Sequence, residues 1–316
     1  MRKGVFKIFK NKEKICICFL AGIMILALIF LIQKDTAETG GGTEQQSMAD
    51  EGPELHILTG SGFYDEDIRI EVELEKEGKV FYTSDGSMPA KEEGGSTLLY
   101  KEPVFLAAEE EESVEVYRFL AVFQDGTESE IVTNTYFMGK NIKDRYDTMI
   151  ISLAAEDDDL YGYENGIFVE GKLRADWEAQ HPGEEAAFDA PANYNVRGRE
   201  SERNVHIEIF EPDGKRLAAQ NGGIRISGNF TRQSEQKSFK LYARKEYDEE
   251  ENRFCIPLFE DMRSIQGGNV IDQYKSIKIR NTGNDRSEGF IRDEHISSSV
   301  RSEVLYFAYI SLYSPA

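Results

Sequence analysis

The sequence predicts three parts in order: one bilayer-spanning helix, an all-β sandwich, and an α+β region in which strands come first. Three observations predict this. Residues 15–32 form an unbroken apolar run, residues 55–139 alternate with period two, and residues 145–293 hold further strand-like runs ahead of a helical pattern. An uncharged run of about 18 residues is long enough to cross a bilayer core as a helix. Strict alternation instead marks strands half-buried against a core.

Residues 1–14 carry Arg2, Lys3, Lys7, Lys10, Lys12 and Lys14 against Glu13 alone. Such flanks stay cytoplasmic. The expectation is a single-pass cell-membrane protein, with residues 1–33 as basic flank and anchor, residues 15–32 in the membrane, and the C-terminal part outside the cytoplasm. A cleaved signal peptide is the alternative, although Lys34-Asp35-Thr36-Ala37 is a poor small-residue cleavage site. Residues 34–54, with Gly40-Gly41-Gly42, have too few apolar groups to offset ordering entropy and read as a flexible stalk.

In residues 55–139, Ile68, Ile70, Val72 and Leu74 alternate with Arg69, Glu71 and Glu73. Val80-Phe81-Tyr82-Thr83 is a second strand, closed by the turn Ser84-Asp85-Gly86-Ser87. Val114, Val116, Phe119, Ala121 and Phe123 supply a later strand that ends at Asp125-Gly126. Short strands cut by turn signals suggest a small β-sandwich. Tyr82-Thr83-Ser84-Asp85-Gly86-Ser87-Met88-Pro89, with Tyr100 and Thr135-Tyr136 downstream, resembles the Fn3-like domain at the C-terminus of chitobiases and β-hexosaminidases. That resemblance implies an immunoglobulin-like spacer or interaction module, with Tyr82 and Tyr136 in the core and Asp85 holding its turn.

Beyond a short connector, Met149-Ile150-Ile151-Ser152-Leu153 reads as a buried strand. Pro182 and Pro191 forbid a long helix in residues 172–195, leaving a loop or a short helix over 174–180 that carries Trp177. Residues 204–210 alternate as a strand with His206 on the polar, solvent-facing phase, and Pro212-Asp213-Gly214-Lys215 reverses the chain. Then come Ile224-Arg225-Ile226-Ser227-Gly228-Asn229-Phe230-Thr231-Arg232 and Gln236-Lys237-Ser238-Phe239-Lys240-Leu241-Tyr242. A strand, a small-residue turn with an arginine and a lysine-bearing strand are the parts of a cradle for phosphate; the alternative is that these basic side chains are surface charges facing solvent. Lys237 and Lys240 are an odd number of residues apart, so a regular strand sends them to opposite faces.

These runs, with Ile277-Lys278-Ile279-Arg280-Asn281-Thr282-Gly283-Asn284-Asp285 and Phe290-Ile291-Arg292-Asp293, resemble the N-terminal part of the spore-coat protein H (CotH) kinase family. The resemblance implies an incomplete α+β, kinase-like N-terminal lobe over 145–316. It also implies ATP with Mg²⁺ or Mn²⁺ as cofactors and phosphorylation of serines on coat or surface proteins. Arg232 and Lys237 become the nucleotide-binding candidates. Lys240, Arg280, Asp285, Arg292 and Asp293 match the family's pattern with their roles open. Asp293 is equally an N-cap for the series Ile296, Val300, Val304. The similarity fades after about residue 302, before the part that supplies the family's catalytic and metal-binding aspartates. The expectation is therefore a truncated form with no catalytic residue, no metal ligand and no productive phosphoryl transfer. The alternative is a non-catalytic module that binds polysaccharide or an envelope or coat protein.

Composition removes other classes. With 58 acidic residues against 37 basic ones the formal charge is −21, which excludes general nucleic-acid binding. Cys16 and Cys18 lie in the apolar run and Cys255 stands alone afterwards, so the region past the run has no disulfide and no cysteine pair for zinc. No HExxH, GxSxG or GxxxxGK[ST] string occurs, and no pair of carboxylates suggests a glycosidase.

Overall fold

The computed structural model describes residues 55–249, 252–258, 263–264, 268–281 and 310–312. The expected anchor and stalk lie outside the described residues, as do Asp285, Arg292, Asp293 and the helix expected from 294.

The first module is built from β1 (Leu55–Ile57), β2 (Gly62–Tyr64), β3 (Ile68–Ile70), β4 (Val72–Leu74), β5 (Gly78–Thr83), β6 (Leu98–Leu99), β7 (Val104–Leu106), β8 (Ser113–Phe123) and β9 (Val132–Met138). A five-stranded sheet runs in the order β2-β9-β8-β5-β6. The pairs β1–β4 and β3–β7 pack on it through a common core of Leu55, Ile70, Leu106, Phe119, Ala121, Tyr136 and Met138. The alternating run 68–74 forms two strands, because the chain changes partner at Glu71: Ile68–Ile70 pair with β7, and Val72–Leu74 with β1. Asp85 holds its turn, its Oδ1 accepting from the Ser87 N–H at 3.0 Å and the Ser87 hydroxyl at 2.5 Å.

The second module is a six-stranded sheet in the order β16-β13-β12-β11-β10-β17. Its strands are β10 (Ile150–Ala154), β11 (Arg203–Phe210), β12 (Arg216–Ile226), β13 (Phe239–Tyr242), β16 (Ser276–Ile279) and β17 (Ile310–Leu312); a separate pair joins β14 (Phe254–Cys255) to β15 (Gln273–Tyr274). Alternation decides what each face holds. Ile151, Leu153, Ile207, Ile209, Ile224, Ile226, Phe239, Leu241, Ile277 and Ile279 share one core, closed by Leu160, Ile167, Phe254 and Ile256.

The fold class differs from the expectation. Residues 145–316 do not build a kinase-like α+β lobe among the described residues. Their α-helices are α1 (Asp157–Leu160) and α2 (Gly171–Gln180), of 4 and 10 residues, set against the six-stranded sheet. The physical reason is periodicity: the buried positions recur every second residue, so burial is achieved by strands. Among the described residues no helix is long and apolar enough to cross a membrane. The expected span at 15–32 lies outside them, and the single-pass cell-membrane localisation is not retained.

The face of the second sheet opposite its core meets the first module at the β10–β11 end. Ile150 and Phe210 pack with Phe63, Phe137 and Ile142, and the Phe137 and Phe210 rings meet edge-on at 5.3 Å. The Thr135 and Ser152 hydroxyls share a buried 2.7 Å hydrogen bond. Gly214, at φ +88°, closes the β11–β12 turn against Phe63; a Cβ there would lie 2.5 Å from the Phe63 ring.

Candidate functional site

At the other end of that face, three apolar-cation-apolar triplets come into register: Ile224-Arg225-Ile226, Phe239-Lys240-Leu241 and Ile277-Lys278-Ile279. Arg225 lies opposite Lys240, and Lys240 opposite Lys278. The flanking apolar residues are buried in the core, so the cations form a row across the open face. Like charges directly opposite each other are destabilising, and Tyr242 answers part of that cost. Its ring lies 4.7 Å from the Arg225 guanidinium, 5.3 Å from the Lys240 ammonium and 4.7 Å from the Arg244 guanidinium, and Arg225 also donates to its hydroxyl. The buried Glu202 carboxylate accepts from Arg244 at 2.9 and 3.2 Å and from the Tyr247 hydroxyl at 3.0 Å, and lies 3.7 Å from Arg225. The row Arg225, Lys240 and Lys278 is thus a cationic strip within an acidic protein.

Two adjoining recesses of about 250 and 260 Å³ open on this face. The first is lined by Gly228, Asn229, Phe230, Thr231, Ser238, Lys278, Arg280 and Asn281; the second by Arg197, Gly198, Arg225, Ile226, Ser227, Gly228, Arg232, Lys240 and Tyr242. Gly228 divides them at φ +111°, a backbone that L side chains rarely adopt. Arg197 reaches across to donate to Asn229 Oδ1 at 2.7 Å. The Ser238 hydroxyl donates to Asn281 Oδ1 at 2.7 Å and accepts from the Asn281 N–H at 2.9 Å, tying the ends of β13 and β16 together.

Of the two residues first expected to hold nucleotide, Arg232 lines the second recess with its guanidinium engaged on backbone carbonyls, and Lys237 is in the lining of neither recess. Arg232 donates to the carbonyls of Gly228, Tyr194, Val196 and Ile226 at 2.9, 2.5, 3.2 and 2.8 Å. Burial, and then the Arg197 and Arg225 guanidiniums, bring its pKa down to about 10. Lys237 donates to the Ser234 carbonyl at 2.9 Å with its ammonium 4.3 Å from the Tyr194 ring. Burial lowers its pKa, against the pull of Glu170. Lys237 precedes β13, whereas Lys240 within it lines a recess, as does Arg280. Asp285, Arg292 and Asp293 lie outside the described residues. Sequence reasoning missed Arg197, Arg225, Lys278 and Glu202. The triplet repeated in three strands was the signal available for Arg225 and Lys278.

A third recess of about 310 Å³ lies where the modules meet. His206 faces it, which corrects the solvent-facing position expected from alternation: the first module covers that phase of β11. Its Nδ1 is 2.9 Å from Asn221 Oδ1, and its Nε2 is shut off from solvent with no hydrogen-bond partner. Burial lowers its pKa, while the Glu208 carboxylate pulls it back. Arg118, 3% exposed, enters from β8 with its Nε also unpaired and its Nη1 3.7 Å from the Glu156 carboxylate. Among the described residues no group of three His, Cys, Asp or Glu side chains is placed to hold a metal ion.

Comparison of the whole chain with curated proteins gives no match. Residues 68–136 match the family model described as Fn3 associated, so the first module carries an Fn3-associated domain.

Proposed function

We propose that the open face of the six-stranded sheet binds the phosphates of a nucleotide, with ATP the ligand to which the CotH resemblance points. The observation that carries the reading is the row Arg225, Lys240, Lys278, set in register across three adjacent strands. The row repels itself and is relieved by a polyanion. Recesses of about 250 and 260 Å³, with a glycine turn between them, give phosphate oxygens room to approach backbone and cations together. A divalent ion such as Mg²⁺ or Mn²⁺ accompanies ATP in solution. Among the described residues no group of three His, Cys, Asp or Glu side chains is placed to hold it, and the proposal is of binding alone.

Titration calorimetry of the full chain with ATP and with inorganic tripolyphosphate tests this. The double substitution Lys240→Ala, Lys278→Ala is expected to weaken both ligands by about tenfold or more, since charge-assisted contacts are the strong ones. Raising the salt should weaken the unaltered protein in the same direction. An affinity unchanged in the double variant, or no affinity at all, would sink the reading.

A further inference from the structure

The cation row has an aromatic ledge beside it that phosphate binding leaves unused. Phe230 lines the first recess together with Lys278 and Arg280, yet it is 58% exposed. A large apolar side chain held out in water is informative when it borders a recess. Phe188, itself 37% exposed, meets it with ring centroids 5.5 Å apart and planes inclined at 54°. Rings that close leave no slot between them. Phe188 is therefore a buttress, and the remaining surface of Phe230 is what a ligand can use.

The ledge stands on pinned backbone. Phe230 opens the single turn Phe230–Gln233, and Arg232 in that turn is fastened to the carbonyls of Ile226 and Gly228 at 2.8 and 2.9 Å. On the other side the Phe188 carbonyl accepts from Asn195 Nδ2 at 3.1 Å. Arg197, two residues on, donates to the side chain of Asn229, which precedes Phe230. A π-face at the edge of a cation-lined recess suits a ligand that is flat and apolar at one end and anionic at the other. Stacking holds the first part and charge-assisted hydrogen bonds the second. Inorganic polyphosphate uses the cations alone; a nucleotide uses both.

Resting on the phosphate reading above, we propose that Phe230 forms the nucleobase subsite of this face. The base stacks on its ring while the phosphates lie along Lys278, Lys240 and Arg225.

The test compares ATP with inorganic tripolyphosphate, which has the charge without the base, by titration calorimetry on the full chain. In Phe230→Leu, at a position too exposed to carry the core, the ratio of ATP to tripolyphosphate affinity should fall about tenfold, the size of one base–aromatic contact, with tripolyphosphate itself unchanged. Phe230→Trp should keep that ratio or raise it. In the unaltered protein the H2 and H8 protons of adenine should move upfield on binding, as they do over the face of a ring, and the movement should shrink in Phe230→Leu. A ratio unchanged in Phe230→Leu, whether both affinities hold or both fall, overturns the base subsite, while tripolyphosphate binding by the unaltered protein keeps the phosphate reading standing. Absence of binding by either ligand overturns both.

Discussion

One face of the six-stranded sheet is finished in two different ways. At the β10–β11 end it carries Ile150, Ser152 and Phe210, and the first module lies on them through Phe63, Thr135 and Phe137. On the next three strands, β12, β13 and β16, the same face carries Arg225, Lys240 and Lys278. Extended backbone presents alternate side chains at both ends, and those side chains differ. Apolar and hydroxyl groups recruit a neighbour from the same chain, because burial is favourable and every hydroxyl finds a partner. Ammonium and guanidinium groups cannot be covered so cheaply, since desolvated charge needs an opposite charge. One sheet face thus carries a protein interface at one end and a row of cations at the other with no change of fold.

Three experiments break or sharpen that contrast. The largest effect is expected from Phe210→Ala, which empties a fully buried position within the Phe63, Phe137 and Ile142 cluster. It should lower unfolding free energy by about 3–5 kcal/mol in a denaturant titration. Affinity for ATP should hold while the protein is folded; a joint loss would mean that the two ends are not separate.

Next is Arg232→Leu. Removing a guanidinium that serves four carbonyls should cost about 2–4 kcal/mol of stability. A variant of unchanged stability that loses only affinity would return Arg232 to the ligand and contradict its scaffold role.

The smallest effect is pH-dependent and belongs to the covered end. Burial depresses the His206 pKa below its ordinary 6.5, with Glu208 opposing and Arg118 and Arg216 reinforcing the shift. The folded state therefore resists a proton that the unfolded chain takes up. Its contribution is intact above pH 6.5 and declines as pH falls from there toward the folded pKa, with a slope of at most about 1.4 kcal/mol per pH unit. The difference in stability between the unaltered protein and His206→Gln, followed from pH 7.5 downward, should show that slope. A flat difference would mean that His206 is free to charge.

Much of the strand content was legible. The period-two runs, the Asp85 turn and the reversal at Pro212-Asp213-Gly214 stand where alternation and turn chemistry put them, and of the loop or short helix left open around Trp177 the structure has the helix, α2. Alternation states a residue's phase but not what covers that phase. That is why His206 read as solvent-facing and why Glu71 gave no sign that its strand divides. Register is equally silent in a single strand. Arg225, Lys240 and Lys278 are separated along the chain, and only the pairing of β12 with β13 and of β13 with β16 makes them neighbours. A cation beside a glycine turn suggests phosphate by type alone, and the carbonyls around Arg232 come from residues 194, 196, 226 and 228, which no local pattern foretells.

Strand β12 reaches from one end of this arrangement to the other. Near its start Arg216 donates to the Ser61 hydroxyl of the first module and to the Glu208 carboxylate, and near its finish Arg225 stands among the cations. Eleven residues of extended chain make a rod roughly 35 Å long. One strand thus touches the first module at its start and holds Arg225 near its finish, so any substitution that shifts β12 along its length reaches both ends of the face.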